Sequence, residues 1–221
     1  MDIERELGVQ ELRMRALEHT RKAFALLPPV DRPRILDIGC GQGLQTMELA
    51  RLGGGEVVGI DIDETALTRF QQRLEPSDVS SRITVRRCSL FHSGLPDESF
   101  NILWEEGVLH LLEPARSFAE CSRLLVPGGV LVMHETLEWF EAASQRLPDW
   151  GLEFVDRHLL PKHFWWTEYG APLEDRIRAF RESHGGVAGS PELTRYADEA
   201  AMIKVDPDRF DCGFFILQKR M

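Results

Sequence analysis

Residues 35–43 read ILDIGCGQG, and this stretch decides the fold of the chain around it. A short apolar run ends in three closely spaced glycines. The segment that follows, QGLQTMELARL, has a helical apolar stripe made by Leu44, Met47 and Leu52. Glycines between a strand and a helix let the backbone approach a ligand closely, and the helix N-terminus offers unpaired N–H groups to an anion. The stretch therefore predicts a strand, a glycine turn and a helix that bind a nucleotide-like ligand.

The alternation of strand and helix continues along the chain. Apolar runs bounded by turn residues predict seven strands, and helical apolar spacing predicts the helices between the first five. The predicted strands are residues 34–39, 56–61, 83–88, 100–104, 130–135, 151–160 and 212–220. Strands that alternate with helices form a parallel sheet with right-handed crossovers. The predicted fold class is α/β: a three-layer doubly wound sheet, mostly parallel, with a C-terminal antiparallel strand.

The predicted organisation is one Rossmann-like domain over residues 1–221. A helix over 9–27 precedes the first strand and ends before two prolines. After residue 135 the regular alternation breaks, and a helical, aromatic insertion of about 159–206 separates the last two strands. No repeat or low-complexity linker divides the chain.

The composition of the chain limits the kinds of molecule that it can bind and the compartment in which we expect it. The net charge of −10 argues against a partner held through phosphates, because such binding needs a basic face. No apolar stretch reaches 18 residues, and the N-terminus has no apolar signal core, so neither a membrane span nor secretion is indicated. Four scattered cysteines without a CxxC pair favour reduced thiols. We expect a cytoplasmic protein without nucleic acid or membrane partners; the oligomeric state stays open.

The spacing of the glycines separates the possible ligands. The dinucleotide fingerprint G-x-G-x-x-G needs a third glycine where this chain has Leu44, and no G-K-[ST] follows, which excludes a P-loop. The second strand ends in Asp61, 22 residues after Gly39, where a carboxylate can accept hydrogen bonds from both hydroxyls of a ribose. The alternative is a tight turn without a ligand, in which Asp61 only caps a helix.

The chain resembles the class I S-adenosylmethionine (SAM)-dependent methyltransferases. The stretches that carry the resemblance are ILDIGCGQG, VVGIDID, LPDESFNILWEEGVLHLL and SRLLVPGGVLVMHE, in the order of that family, over about residues 33–135. WEEG and WWTEYGAPLED are similar to a small bacterial, type 11-like group within it. SAM has no pyrophosphate, so it does not require the third dinucleotide glycine, and its carboxylate suits a helix N-terminus.

The resemblance implies SAM as cofactor, S-adenosylhomocysteine as product, and a set of binding residues. Asp37 and the glycine loop would face the methionyl part, Asp61 the ribose and Ile62 the adenine. Ser89 would lie at the far edge of the adenine, where the family often has Asp, and Glu105 near the methionyl arm. The implied cofactor residues are Asp37, Gly39, Cys40, Gly41, Gly43, Asp61, Ile62, Ser89, Leu90 and Glu105.

Candidates for chemistry follow the fourth and fifth strands, since ligands bind at the carboxyl ends of strands in open α/β sheets. Glu106 is either a base or substrate anchor, or a carboxylate that bonds the loop. His110 is the second catalytic candidate, although a structural or pocket-lining role is favoured for it. His134 closes a strand that the pattern buries and is interpreted as a core histidine. No catalytic residue is assigned, and no metal is expected.

The segment FWWTEY is predicted to contact the acceptor. Residues 137–170 hold eight of the 19 aromatic residues, and three successive aromatics cannot all face one core on a regular element. We expect at least one of Trp165, Trp166 and Tyr169 to line the acceptor pocket or its lid. An aromatic wall suits an apolar or cationic acceptor.

The predicted function is SAM-dependent methyl transfer to a small-molecule acceptor, at an undetermined N, O, S or C atom. One alternative is a protein acceptor, and another is a SAM-binding regulatory module without catalysis. A third is an NAD-dependent oxidoreductase. A nucleobase acceptor is set aside because WEEG stands where those enzymes carry [DN]-P-P-[FY].

Overall fold

The computed structural model describes residues 2–184 and 190–221, and seven strands form one sheet. The strands are β1 (Ile35–Ile38), β2 (Val57–Asp61), β3 (Ile83–Arg87), β4 (Phe100–Glu106), β5 (Leu125–Thr136), β6 (Leu152–Leu159) and β7 (Cys212–Lys219). Their order in the sheet is β3-β2-β1-β4-β5-β7-β6. β1 to β5 are parallel, and the C-terminal strands run antiparallel. The predicted α/β fold class is confirmed.

Nine α-helices lie among the described residues. They are α1 (Ile3–Glu6), α2 (Val9–Met14), α3 (Leu17–Phe24), α4 (Leu44–Gly53), α5 (Glu64–Leu74), α6 (Pro114–Leu124), α7 (Leu137–Ser144), α8 (Ala171–Ser183) and α9 (Pro191–Val205). Across the described parts of the chain, none of the helices is both long and apolar enough to cross a membrane.

The helix starts follow the signals in the sequence. Asp63 accepts hydrogen bonds from two backbone N–H groups of α5, and Ser190 accepts one from α9, as residues of their types do at helix starts. Pro114 occupies the first turn of α6, where its missing N–H costs nothing. At the C-terminal end of α4, Gly54 adopts φ +67° and ends the helix.

The two faces of the sheet bury different side chains because successive strand residues point to opposite sides. On one face, Leu36, Leu103 and Leu131 share a core with α6 and α7. On the other, Trp104 lies 6.1 Å from Phe24 of α3, measured between ring centroids. All four residues of β1 are buried, as expected for a parallel strand that is covered on both faces.

The chain divides into two compact units. The larger, His19–His158 with Gly213–Met221, contains most of the sheet, most of α3, and α4 to α7. The smaller, which we call the helical unit, comprises Met1–Glu18 and Leu159–Cys212 and contains α1, α2, α8 and α9. Residues 185–189, within the predicted insertion of about 159–206, lie outside the described residues. The single domain over 1–221 stays a prediction.

The predicted helix over 9–27 is wrong, because α2 and α3 are separate. Arg15 N and Ala16 N donate to carbonyls three residues back, which tightens and ends α2. The physical reason is that the two stretches bury side chains in different units: Leu12 lies in the core of the helical unit, whereas Thr20 is buried in the larger one.

Candidate functional site

The glycine loop between β1 and α4 is closely packed. Gly39 N donates to Ile60 O at 2.8 Å, which ties the loop to β2. A Cβ on Gly39, which has φ +74°, would lie 2.2 Å from Val108 Cγ2. One on Gly43, with φ +80°, would lie 2.1 Å from the ring of Phe70. Only glycine fits at these two positions without moving a neighbour.

Asp61 is fixed at the loop by two backbone hydrogen bonds. Its Oδ2 accepts from Gly41 N at 2.8 Å, and its Oδ1 accepts from Asp63 N at 2.9 Å. The side chain is half-buried, and the next residue, Ile62, is 69% exposed. The glycine loop and the acid at the end of β2 are thus in direct contact.

The N-terminus of α4 can accept an anion. The helix begins directly after Gly43, no side chain caps it, and its first turn contains no acidic residue. Its first N–H groups and the positive end of its dipole are therefore available to a carboxylate or phosphate.

Asp37 and Cys40 are buried, with 3% and 5% exposure. Thr46 Oγ1 donates to Asp37 Oδ2 at 2.5 Å, and burial raises the pKa of Asp37 to about 7. Burial also raises the pKa of the Cys40 thiol. The contact that Asp37 makes is thus with Thr46 of α4. Its role toward a cofactor stays a prediction.

Ser89 and Leu90 follow β3. Ser89 Oγ accepts from Phe91 N at 3.3 Å and starts the 3-10 turn Leu90–His92, while Leu90 is 4% exposed and lies in the core. Their predicted place beside an adenine is not tested by these contacts.

Glu105 and Glu106 point to opposite faces of the sheet. Glu106 Oε1 accepts from Thr20 Oγ1 at 3.0 Å and from Trp104 Nε1 at 2.9 Å, and its Oε2 accepts from Gln45 Nε2 at 3.1 Å. Burial raises the pKa of Glu106 to about 7 against the effect of these three donors. These contacts show a carboxylate that joins α3, α4 and β4 through side chains, and a role of Glu106 as base or substrate anchor stays a prediction.

Glu105 lies on the face covered by α6 and α7. It is fully buried, and its Oε2 accepts from Val108 N at 2.9 Å and from Leu109 N at 3.2 Å. Its Oε1 has no hydrogen-bond partner. Burial, and then the neighbouring Glu135 carboxylate, raise the pKa of Glu105.

Glu135, near the end of β5, binds His110. Its Oε1 accepts from His110 N at 3.0 Å, and its Oε2 lies 3.0 Å from His110 Nδ1. The Glu135 side chain is 2% exposed, whereas that of His110 is 41% exposed. His134, the preceding residue, is buried as predicted, and burial lowers its pKa to about 4.

The three aromatic residues expected at the acceptor lie in the helical unit, on the π-helical turn Trp165–Gly170. Tyr169 is 1% exposed and contacts Trp165 edge to face, with ring centroids 5.8 Å apart. Trp166 packs under Lys204, whose Nζ lies 5.7 Å from the ring. Because Tyr169 is part of the core, Trp165 and Trp166 are the two with accessible surface.

One cluster of metal-binding side chain types occurs among the described residues. His163, Asp208 and Asp211 lie together in the helical unit. Lys162 Nζ is 2.8 Å from Asp208 Oδ1 and already supplies a positive charge there. We assign no metal to it.

Sequence reasoning missed the partners of Glu106. Thr20 and Gln45 come from helices 86 and 61 residues away, and no local signal marks them. Trp104 could have been found, because residues i and i+2 of a strand share a face.

Comparison with known proteins identifies the family. Residues 36–133 match the family model described as a methyltransferase domain. The ubiquinone biosynthesis O-methyltransferase of Caulobacter sp. (strain K31) is 32% identical over 184 residues, which is 78% of this chain and 69% of that protein. The chain belongs to the class I SAM-dependent methyltransferases.

Solved structures of other proteins share the fold. A [4+2]-cyclase has a TM-score of 0.76 at 18% identity, with 94% of this chain and 80% of that chain covered. A phosphoethanolamine N-methyltransferase of Haemonchus contortus, solved with SAM, has a TM-score of 0.70 at 18% identity, with 94% of this chain and 52% of that chain covered. The chain spans 25%, 43% and 44% of the length of three further curated relatives.

Proposed function

We propose that this methyltransferase-family chain transfers a methyl group from SAM to a small-molecule acceptor. The observation that carries the proposal is the hydrogen bond from Gly41 N to Asp61 Oδ2. It joins a glycine loop that tolerates no side chain at Gly39 to a carboxylate at the end of the next strand.

The residues around the loop fit SAM. The uncapped, acid-free N-terminus of α4 suits the carboxylate of the methionyl part. The Asp61 carboxylate can accept from ribose hydroxyls, and exposed Ile62 offers an apolar surface to an adenine. The remaining assignments, Ser89, Leu90 and Glu105 among them, belong to the same proposal.

SAM supplies, when bound, a methyl group on a sulfonium, which is a very good leaving group. The chain has to bind the acceptor, align it with the methyl group and exclude water. A neutral amine or a thiolate needs little more, whereas a hydroxyl needs a proton acceptor.

A small molecule is the preferred acceptor. The net charge of −10 disfavours nucleic acid. The expectation that FWWTEY contacts the acceptor rests on Trp165 and Trp166, and replacing each by Phe should raise the KM for the acceptor while leaving the SAM affinity unchanged.

Calorimetry tests the cofactor. Wild-type protein should bind SAM and S-adenosylhomocysteine, and Asp61→Ala should weaken both by at least tenfold. Asp78→Ala, which removes an exposed carboxylate paired with Arg51, is the matched control and should bind as the wild type does. Absence of SAM binding by the wild type would sink the proposal, and tight NAD binding instead would support the oxidoreductase alternative.

Transfer is tested separately with SAM labelled in the methyl group. Incubation with a metabolite extract should place the label in a small compound. Label in protein alone would indicate the protein-acceptor alternative, and binding without any transfer would indicate a regulatory module.

A further inference from the structure

His110 and Glu135 form a histidine–carboxylate pair beside the glycine loop. His110 lies on the 3-10 turn Leu109–Leu111 that follows β4, and Glu135 lies near the end of β5. The carboxyl ends of parallel strands form the ligand-binding edge of an open α/β sheet. The pair therefore stands where an acceptor would be expected.

The turn that carries His110 is held against the loop. Val108 packs on Gly39 so closely that a Cβ there would lie 2.2 Å from Val108 Cγ2. The buried Glu105 carboxylate accepts the N–H groups of Val108 and Leu109. The backbone N–H groups of Val108 and Leu109 thus bond Glu105, and that of His110 bonds Glu135. These hydrogen bonds fix the turn that carries the imidazole.

The geometry also determines which imidazole nitrogen is free. Glu135 Oε2 lies 3.0 Å from Nδ1 and, as a carboxylate, can only accept a hydrogen bond. Nδ1 therefore carries the proton in the neutral ring, and Nε2 is the basic nitrogen. Glu135 is 2% exposed and His110 41% exposed, so the anchor is buried and the ring is accessible.

We propose that His110, positioned by Glu135, is the general base for a hydroxyl acceptor, so that the substrate class is an alcohol or a phenol. The inference rests on the proposed function. The acceptor oxygen forms a bond to the methyl carbon, the carbon–sulfur bond breaks, and its electron pair stays on sulfur. The hydroxyl proton moves to Nε2, and Glu135 stabilises the imidazolium before the proton passes to water.

The charges around the ring suit this role. The hydrogen bond that His110 donates to Glu135 raises the pKa of His110, with burial acting against it. Glu105 interacts with Glu135: burial, and then the Glu135 carboxylate, raise the pKa of Glu105. One carboxylate thus faces the imidazole directly, and raising the pKa of His110 makes its imidazole a stronger base.

The similarity to an O-methyltransferase is consistent with an oxygen acceptor. In this chain, the His110–Glu135 pair supplies the base that an oxygen acceptor needs. Glu106, the other candidate, accepts hydrogen bonds from three side chains and has less capacity left for an acceptor proton.

The first test measures the protonation state of His110 without cofactor. Long-range ¹H–¹⁵N NMR of the full chain should show the proton on Nδ1 and a pKa raised above the ordinary histidine value of 6.5. The control position for substitutions is His92, an exposed histidine of the turn Leu90–His92. In Glu135→Gln the side-chain amide can donate to Nδ1, which moves the proton to Nε2 and lowers the pKa. A wild-type ring with its proton on Nε2 would overturn the proposal.

The second test follows labelled transfer from SAM to the acceptor in a metabolite extract. His110→Ala should lower kcat about 10²–10⁴-fold with unchanged SAM affinity, and added imidazole should restore part of the rate. Glu135→Gln should lower kcat and flatten the rise of rate with pH, whereas His92→Ala should do neither. Label on nitrogen, sulfur or carbon, or a full rate in His110→Ala, would overturn the assignment. Loss of SAM binding in the wild type would instead remove the proposed function and this inference with it.

Discussion

Glu105 and Glu106 are adjacent in sequence and carry their carboxylates to opposite faces of the sheet. Glu105 accepts hydrogen bonds from the backbone N–H groups of Val108 and Leu109. Glu106 accepts hydrogen bonds from the side chains of Thr20, Trp104 and Gln45. A pair that reads as one acidic motif thus has two separate tasks: one shapes the turn after β4, and the other joins α3 and α4 to the sheet.

Trp104 should report the ionisation of Glu106. Because Trp104 Nε1 donates to Glu106 Oε1 at 2.9 Å, the indole N–H resonance should shift with pH around a midpoint of about 7. Two-dimensional ¹H–¹⁵N NMR measures it. Glu106→Gln keeps an oxygen at this position and should abolish the transition, while the other indole resonances stay unchanged. A midpoint near 4.5 in the wild type would contradict the prediction.

Asp37 should make stability fall as pH rises. Its folded pKa of about 7 exceeds its ordinary value of 3.8, so between these values the folded state binds more protons than the unfolded state. The free energy of unfolding should therefore decrease from about pH 4 to pH 7, with an Asp37 share on the order of 2–4 kcal/mol. Urea denaturation of ligand-free protein across this range measures the slope.

Asp37→Asn is the matched variant for that slope. It keeps an acceptor for Thr46 Oγ1 and cannot ionise, so its curve should be flatter and lie above the wild type at pH 8. Asp198→Asn, at an exposed position on α9, should leave the slope unchanged. Equal slopes in Asp37→Asn and wild type would show that Asp37 does not titrate in this range.

Gly39→Ala should lose both stability and SAM binding. The new Cβ would meet Val108 Cγ2 at 2.2 Å in a backbone of φ +74°, which should lower the free energy of unfolding by about 2–5 kcal/mol. Calorimetry and thermal denaturation measure the two effects. Gly94→Ala separates them, because Gly94 has φ +62° and no atom within 4 Å of an added Cβ. We expect Gly94→Ala to lower the free energy of unfolding by about 1–2 kcal/mol and to leave the SAM affinity unchanged.

Arg176 should stabilise the helical unit. Its Nη1 donates to Leu7 O at 2.9 Å and to Gly8 O at 2.8 Å, which ties the turn between α1 and α2 to α8. Arg176→Ala should lower stability by about 1–3 kcal/mol and speed hydrogen exchange in α1 and α2. Arg178→Ala removes an exposed pair with Asp175 on the same helix and should cost less than about 0.5 kcal/mol. Equal effects of the two variants would show that the contacts of Arg176 add nothing.

Local rules predicted the fold well because its elements carry their own signals. ILDIGCGQG became β1 and the loop, and Asp63, Pro114 and Ser190 start the helices that their residue types favour. These features depend on residues a few positions apart, where spacing in sequence translates directly into spacing in the structure.

The features that could not be predicted from the sequence depend on contacts between distant segments. The hydrogen bonds of Glu106 to Thr20 and Gln45 form only after the sheet and two helices have packed. The break between α2 and α3 reflects burial in two different cores, whereas the apolar stripe is continuous in sequence. Tyr169, one of the three aromatic residues of which at least one was expected at the acceptor, lies on a π-helical turn and is a core residue, which residue type alone does not reveal.

Leu160 N donates to Cys212 O at 3.1 Å, directly where the chain leaves β6 and returns to β7. The long excursion between these residues begins and ends at neighbouring points, as a simple hairpin would. β7 is separated from β1 and its glycine loop by two strands, β4 and β5. The excursion can therefore vary in length and composition, together with α1 and α2 that share its core, while the strand order and the loop after β1 are retained.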